Sequence, residues 1–179
     1  YDVPTDPWAT IEVDPDTVMQ YVPDVELPWG LGRVRGGDWS QPANRLPLAD
    51  LPRYRGLVQR FEKGHDWVDT DYYDHLVVRY ADHDGPFPRG HEDFDSFWRD
   101  RRESHEALYR SMRDDGYRPN GVVDHDPETW GEFVHSLEPL GVVGHDGEIL
   151  WSEGFGRLCV AKLLGIESIP VYVLCRHER

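Results

Sequence analysis

The residues best suited to chemistry form a short turn near the C-terminus, Glu153-Gly154-Phe155-Gly156-Arg157. Because it separates a strand pattern from a helix pattern, we expect free backbone N–H groups and the positive end of a helix dipole there. The two glycines let a ligand approach, and Arg157 offers a bidentate donor for phosphate oxygens. The turn predicts phosphate binding through Gly154, Phe155, Gly156 and Arg157, with Glu153 as a candidate catalytic residue. A Gly-x-Gly alone is a weak signal, since many such turns bind nothing.

A second candidate site lies in the glycine cluster of residues 32–39, GRVRGGDW. We expect a loop here, which either connects two elements or lines a site. If this loop faces the Glu153–Arg157 turn, Asp38 becomes the second candidate catalytic acid, and Arg33 and Arg35 add positive charge. Trp39 is then placed to stack on a base or sugar, although most tryptophans serve as core anchors.

The elements that position these residues follow from the spacing of apolar side chains. Helices are predicted over residues 48–61, 70–80, 94–114 and from the glycine turn to 164, and strands over 11–15, 140–144, 148–151 and 169–175. His145-Asp146-Gly147 predicts a hairpin turn, and Gly165 a helix end. These elements predict an α/β (α+β) fold. Since there is no internal repeat or low-complexity linker, we predict a single domain over residues 1–179.

The charge balance indicates a halophilic protein. The chain has 34 acidic and 19 basic residues, a net charge of −15, and only Lys63 and Lys162 are lysines. Short carboxylates keep a surface hydrated in molar salt, although a merely acidic mesophilic protein remains the alternative. Because no basic run reaches five residues, the sequence argues against DNA as a partner bound by simple electrostatic attraction.

Cysteine and hydropathy patterns favour a cytoplasmic protein. Cys159 and Cys175 lie in apolar segments, as expected for buried thiols in a reducing compartment. We expect neither a signal segment nor a membrane span, because no apolar run reaches eighteen residues. Nine histidines show no pair at metal-ligand spacing. The Asp82–Asp84 and Asp124–Asp126 triplets are interpreted as hydrated loops, so no metal site is predicted.

The C-terminal stretch resembles the ParB/sulfiredoxin-like superfamily. The resemblance covers residues 139–175 and consists of the DG turn, the acidic-Gly-x-x-Arg turn, Ala161-Lys162-Leu163-Leu164-Gly165 and Ile169-Pro170-Val171. More specifically, it is similar to haloarchaeal proteins of that type, in which a VDP and a GGDW element precede the tail. Here these elements are Val13-Asp14-Pro15 and Gly36-Gly37-Asp38-Trp39. The resemblance implies a small mixed sheet with flanking helices, extended here by a helical insertion.

The same resemblance implies a ligand. Members of the superfamily grip nucleotide phosphates with this turn, so ATP or CTP with Mg²⁺ is the expected cofactor, and a nucleotide or phosphorylated small molecule the expected partner. The family's usual histidine is replaced by Gly156, which puts catalysis in doubt more than binding. Sulfiredoxin activity is rejected because Phe155 stands where its reactive cysteine is required.

Two functions remain open from the sequence. One is a nucleotide-binding domain that transfers or hydrolyses phosphate groups, with Glu153 or Asp38 orienting a hydroxyl or metal ion and Arg157 neutralising charge. The other is a catalytically degenerate module that binds a protein, glycan or nucleic acid through aromatic loops. Whether the chain is an enzyme is left undecided.

Overall fold

A computed structural model describes residues 6–121, 133 and 136–178 of the chain. The chain divides into two compact units. We call Tyr1–Leu48 together with Tyr117–Arg179 the β unit, and Ala49–Gly116 the helical unit. In chain order the helical unit is therefore an insertion into the β unit. The expectation that both belong to one domain stays a prediction.

The β unit is built on a mixed sheet of seven strands. They are β1 (Thr10–Val13), β2 (Gln20–Tyr21), β3 (Arg33–Arg35), β4 (Leu46–Pro47), β5 (Leu140–Val143), β6 (Ile149–Glu153) and β7 (Ile169–His177). The order is β1-β7-β5-β6-β2-β4, and β3 also pairs with β7. β5 runs parallel to β7 and antiparallel to β6. The predicted α/β (α+β) class is confirmed.

The C-terminal elements form as their sequence pattern predicts. The DG turn at residues 145–147 joins β5 to β6, and the apolar run of β7 is buried from Val171 to Cys175. Between them, α4 (Phe155–Leu164) buries Leu158 and Val160 completely. Gly165 ends this helix in the left-handed region, at a φ of 61°.

The helical unit contains α1 (Pro52–Phe61), α2 (Asp71–Arg79) and α3 (Phe94–Asp115). The side chains of Thr70 and Asp93 cap α2 and α3 by accepting backbone N–H bonds. Gly56 lets α1 approach α2 closely, because a Cβ there would collide with Tyr72. Aromatic rings fill much of the space between the helices; Phe61, for example, stacks on Tyr109 at 3.9 Å.

Two expectations about local structure need correction. The helix predicted from residue 48 begins at Pro52, and Leu48–Asp50 forms a separate 3₁₀ turn, because proline is accommodated best at the first helical position. The glycine cluster of residues 32–39 is not all loop, since it contains β3. Within the described ranges, no helix combines the length and apolar character needed to cross a membrane.

Candidate functional site

The turn between β6 and α4 has the backbone geometry expected of a tight strand-to-helix connection. Gly154 has a φ of 78° and a ψ of 28°, in the left-handed region that favours glycine. A Cβ at this position would lie 2.9 Å from the Cα of Pro139. Gly154 is therefore required both by its dihedral angles and by the close approach of the chain before β5. This requirement exists without any ligand.

The N-terminus of α4 keeps part of the predicted anion-binding character. No side-chain cap hydrogen bond forms at Gly154, whose carbonyl oxygen accepts from the backbone N–H groups of Arg157 and Leu158. Gly156 adds no side chain to the first turn. The Phe155 ring packs edge-on against Tyr21, with ring centroids 5.3 Å apart. The turn therefore presents backbone dipoles, and Phe155 serves packing.

The Arg157 side chain is committed to partners inside the β unit. Its Nη2 donates to the carbonyl oxygen of Leu137 at 2.7 Å. Its Nη1 lies 3.2 Å from Glu138 Oε2 and 3.4 Å from the Tyr117 hydroxyl oxygen. Only 21% of the side chain is exposed. Arg157, which the sequence predicts to bind phosphate, is thus paired with the carboxylate of Glu138.

Glu138 is the centre of this network and is 6% exposed. Its Oε2 accepts from the Tyr117 hydroxyl at 2.5 Å, and its Oε1 accepts from the backbone N–H of Asn120. The side-chain Nδ2 of Asn120 donates to the Leu137 carbonyl oxygen at 2.7 Å. Burial raises the pKa of the Tyr117 hydroxyl well above its ordinary value; Arg157 opposes this rise, and Glu138 adds to it. Tyr117 therefore stays a neutral donor.

Sequence reasoning missed Glu138 and Tyr117. They lie 19 and 40 residues before Arg157, and neither belongs to a motif. The one local signal is that Glu138 comes shortly before the apolar strand β5, where a carboxylate is buried only if it is paired. Such a position calls for a cationic partner, but the sequence does not say which one.

Asp38 is not brought to the turn. The strand register pairs Leu140 with both Glu153 and Tyr172, whereas Arg35 pairs with His177. Five residues of β7 separate these two levels, which is about 17 Å along the strand. The Gly36-Gly37-Asp38 loop and the Glu153–Arg157 turn therefore lie at opposite ends of the strands, and the expected shared pocket is not formed.

Of the remaining residues of the glycine cluster, Trp39 is buried, whereas Arg33 and Arg35 are exposed. Trp39 is 8% exposed, its ring centroid lies 6.1 Å from that of Trp29, and its Nε1 donates to the Arg35 carbonyl oxygen at 3.4 Å. Arg35 in turn donates to the Trp29 carbonyl oxygen at 2.8 Å. Arg33 is exposed on β3. Trp39 therefore acts as a core anchor, and its ring offers no open face for stacking.

The hairpin turn carries a cluster that the sequence did not single out. Candidate ligand atoms of His145, Asp146 and Glu148 lie within 4.8 Å of one another. However, Arg45 Nη2 lies 2.5 Å from Glu148 and 3.5 Å from Asp146, and it also contacts His145 Nδ1 at 3.1 Å. The Arg45 guanidinium thus pairs with both carboxylates and would repel a bound cation. We therefore interpret the cluster as an ion-pair network that stabilises the hairpin.

The two Asp-His-Asp triplets provide no further site in the described chain. Asp82–Asp84 lies in an exposed turn, where His83 Nε2 contacts the Pro86 carbonyl oxygen at 3.2 Å. Asp124–Asp126 lies outside the described residues.

Comparison of the chain with models of protein families, with curated proteins and with solved structures yields no match. The resemblance to the ParB/sulfiredoxin-like superfamily therefore rests on the motifs of residues 139–175 alone and stays a prediction.

Proposed function

We propose that this chain is a catalytically degenerate ParB/sulfiredoxin-like domain that acts as a binding module and does not transfer phosphate groups. The observation that carries the proposal is the ion pair between Arg157 and the buried carboxylate of Glu138. In a phosphate-binding turn the guanidinium must face the ligand. Here two of its nitrogens face the protein.

Electrostatics support this reading. A phosphate entering the turn would have to compete with Glu138 for Arg157 and would place its negative charge beside a buried carboxylate. Removing one partner of a buried ion pair typically costs about 3–5 kcal/mol, because the other charge is left uncompensated. The contacts of a weakly bound phosphate at a helix N-terminus are worth less than this.

The lack of an acid/base group supports the absence of catalysis. Gly156 has no side chain where the superfamily has histidine, and Asp38 lies at the other end of the strands. Glu153 remains as the only carboxylate within the turn itself. A single carboxylate beside an arginine bound to Glu138 does not supply the set of groups that phosphoryl transfer requires.

The surface best suited to a partner is β3. All three of its residues are exposed, Val34 by 50%, and among the described strands β3 pairs only with β7. An edge strand with a free side can accept an extended peptide as an additional strand. Arg33 and Arg35 flank Val34 and favour an acidic polypeptide over a glycan.

The second candidate function is nucleotide binding, with ATP or CTP and Mg²⁺, and it is favoured by the uncapped N-terminus of α4. Thermal unfolding in molar KCl, with and without each nucleotide and Mg²⁺, separates the two. If the chain is a binding module as proposed, no nucleotide raises the Tm of the wild type through Arg157. Arg157→Ala then lowers the Tm even without ligand, because Glu138 loses its partner. Arg33→Ala serves as the exposed control.

A nucleotide-dependent rise in the wild type that Arg157→Ala abolishes would overturn the proposal, most strongly if phosphate release accompanies it.

A further inference from the structure

The helical unit contains a group of arginines that lack carboxylate partners. Within the described ranges, neither Arg53 on α1 nor Arg101 on α3 has an acidic side chain within 4.0 Å. Both are half-buried. This is unusual for a chain with a net charge of −15, in which acidic residues outnumber basic ones. Partly buried guanidinium groups are normally paired.

Arg53 contacts the buried ring of Tyr72, and Arg101 lies close enough for Tyr72 to influence its pKa. The Arg101 guanidinium carbon itself lies 5.4 Å from the centroid of the Phe97 ring. The guanidinium carbon of Arg53 lies 5.7 Å from the centroid of the Tyr72 ring, and the His105 ring centroid lies 5.5 Å from it on α3. Arg101 precedes His105 by one helical turn, and the His105 Nδ1 donates to the Arg101 carbonyl oxygen at 2.7 Å. Side chains of α1 and α3 thus surround a tyrosine of α2.

The Tyr72 hydroxyl has no hydrogen-bond partner in the described chain, although Tyr72 is only 3% exposed. A buried hydroxyl without a partner is unfavourable and calls for an explanation. An unused donor with one uncompensated cation against its ring and a second within electrostatic range forms an incomplete polar site. An acceptor that carries negative charge would complete it.

The charge environment agrees with this geometry. Burial is the main cause that lowers the pKa of Arg101; Tyr72 opposes it, while Arg53 and Arg89 lower it further. Burial also lowers the pKa of His105 to about 4, and the same three arginines contribute. The arginines therefore repel one another, and His105 is kept neutral. Of these three arginines, Arg89 is paired with a carboxylate, since its Nη1 lies 3.3 Å from Asp100 Oδ2.

We propose that Arg53, Arg101 and the Tyr72 hydroxyl form an oxyanion site in the helical unit, which binds a phosphate group. Arginine donates in a planar fork that suits tetrahedral oxyanions, and the hydroxyl supplies a further donor. The site takes either free phosphate or the phosphate group of a larger ligand. It goes beyond the proposed function, because it involves neither the β6–α4 turn nor Arg157.

Thermal unfolding with inorganic phosphate tests the site, against KCl of equal ionic strength so that general screening is subtracted. At phosphate about ten times above its Kd, we expect the Tm of the wild type to rise by about 3 °C. Arg101→Gln and Arg53→Gln lose this rise. Arg99→Gln, an exposed neighbour on α3, and Arg157→Ala retain it.

Tyr72→Phe guards against the trivial result that a variant fails to fold. It keeps the buried ring and removes only the hydroxyl. Without phosphate its Tm should equal or exceed that of the wild type, and its phosphate-induced rise should be smaller. A phenyl phosphomonoester that stabilises more than free phosphate identifies a larger ligand, and equal effects identify phosphate itself. An equal rise in the wild type, Arg101→Gln and Arg53→Gln, or no rise beyond KCl, overturns the proposal.

Discussion

Removing the negative charge of Glu138 should destabilise the β unit strongly, although Glu138→Gln changes the side chain by a single atom. The substitution leaves Arg157 without its counterion and replaces one acceptor of the Tyr117 hydroxyl by an amide. Breaking a buried ion pair costs about 3–5 kcal/mol. Because 21% of the Arg157 side chain still reaches solvent, we expect a loss of about 3 kcal/mol in the free energy of unfolding.

The assay is a double-mutant cycle by urea unfolding in molar KCl, with Glu138→Gln, Arg157→Met and the double variant. Since both side chains share one network, the double variant should be more stable than the sum of the single changes implies, by at least about 1 kcal/mol. The exposed pair Arg113 and Asp114, 2.8 Å apart, is the control and should show far weaker coupling. Additive effects at Glu138 and Arg157 would refute the reasoning.

Two further predictions concern a pKa and a backbone angle. The pKa of His105 in the folded state is about 4, below its unfolded value of 6.5, so its contribution to stability is complete above pH 6.5 and is lost as the pH falls toward 4. Unfolding measured across this window should show a decline about 3 kcal/mol larger in the wild type than in His105→Gln, and parallel curves would contradict the assignment. Gly154→Ala should lower the Tm more than Gly165→Ala, since both glycines have a positive φ but only Gly154 would place a Cβ against Pro139; the left-handed strain common to both costs about 1–2 kcal/mol. Equal losses in Tm would show that the contact with Pro139 is unimportant.

The elements that could be predicted are those with a strong local pattern. β7 is an apolar, β-branched run, α4 lies between two glycines, and Asp93 caps α3. Each of these elements can therefore be predicted from a few neighbouring residues. β3 could not be predicted in the same way. Arg33-Val34-Arg35 has no core-facing alternation, and it becomes a strand only by pairing with the end of β7, far along the chain.

The candidate site shows the same division between local and long-range information. The backbone of the β6–α4 turn follows from its two glycines, and Arg157 follows from its place in the turn. What Arg157 contacts depends on where the segment before β5 lies, and that is decided by packing. The cluster of Arg53, Tyr72 and Arg101 depends on the packing of three helices, each of which looks like an ordinary solvated helix by itself.

The central claim, that Arg157 serves the protein and not a nucleotide, is tested most directly by ¹H–¹⁵N spectra of the protein during titration with Mg²⁺-ATP and Mg²⁺-CTP in molar KCl. We expect the Arg157 side-chain Nε–H and the backbone amides of Phe155 and Gly156 to keep their chemical shifts. Saturable shifts of all three signals would contradict the claim, because they would place a phosphate group at the N-terminus of α4.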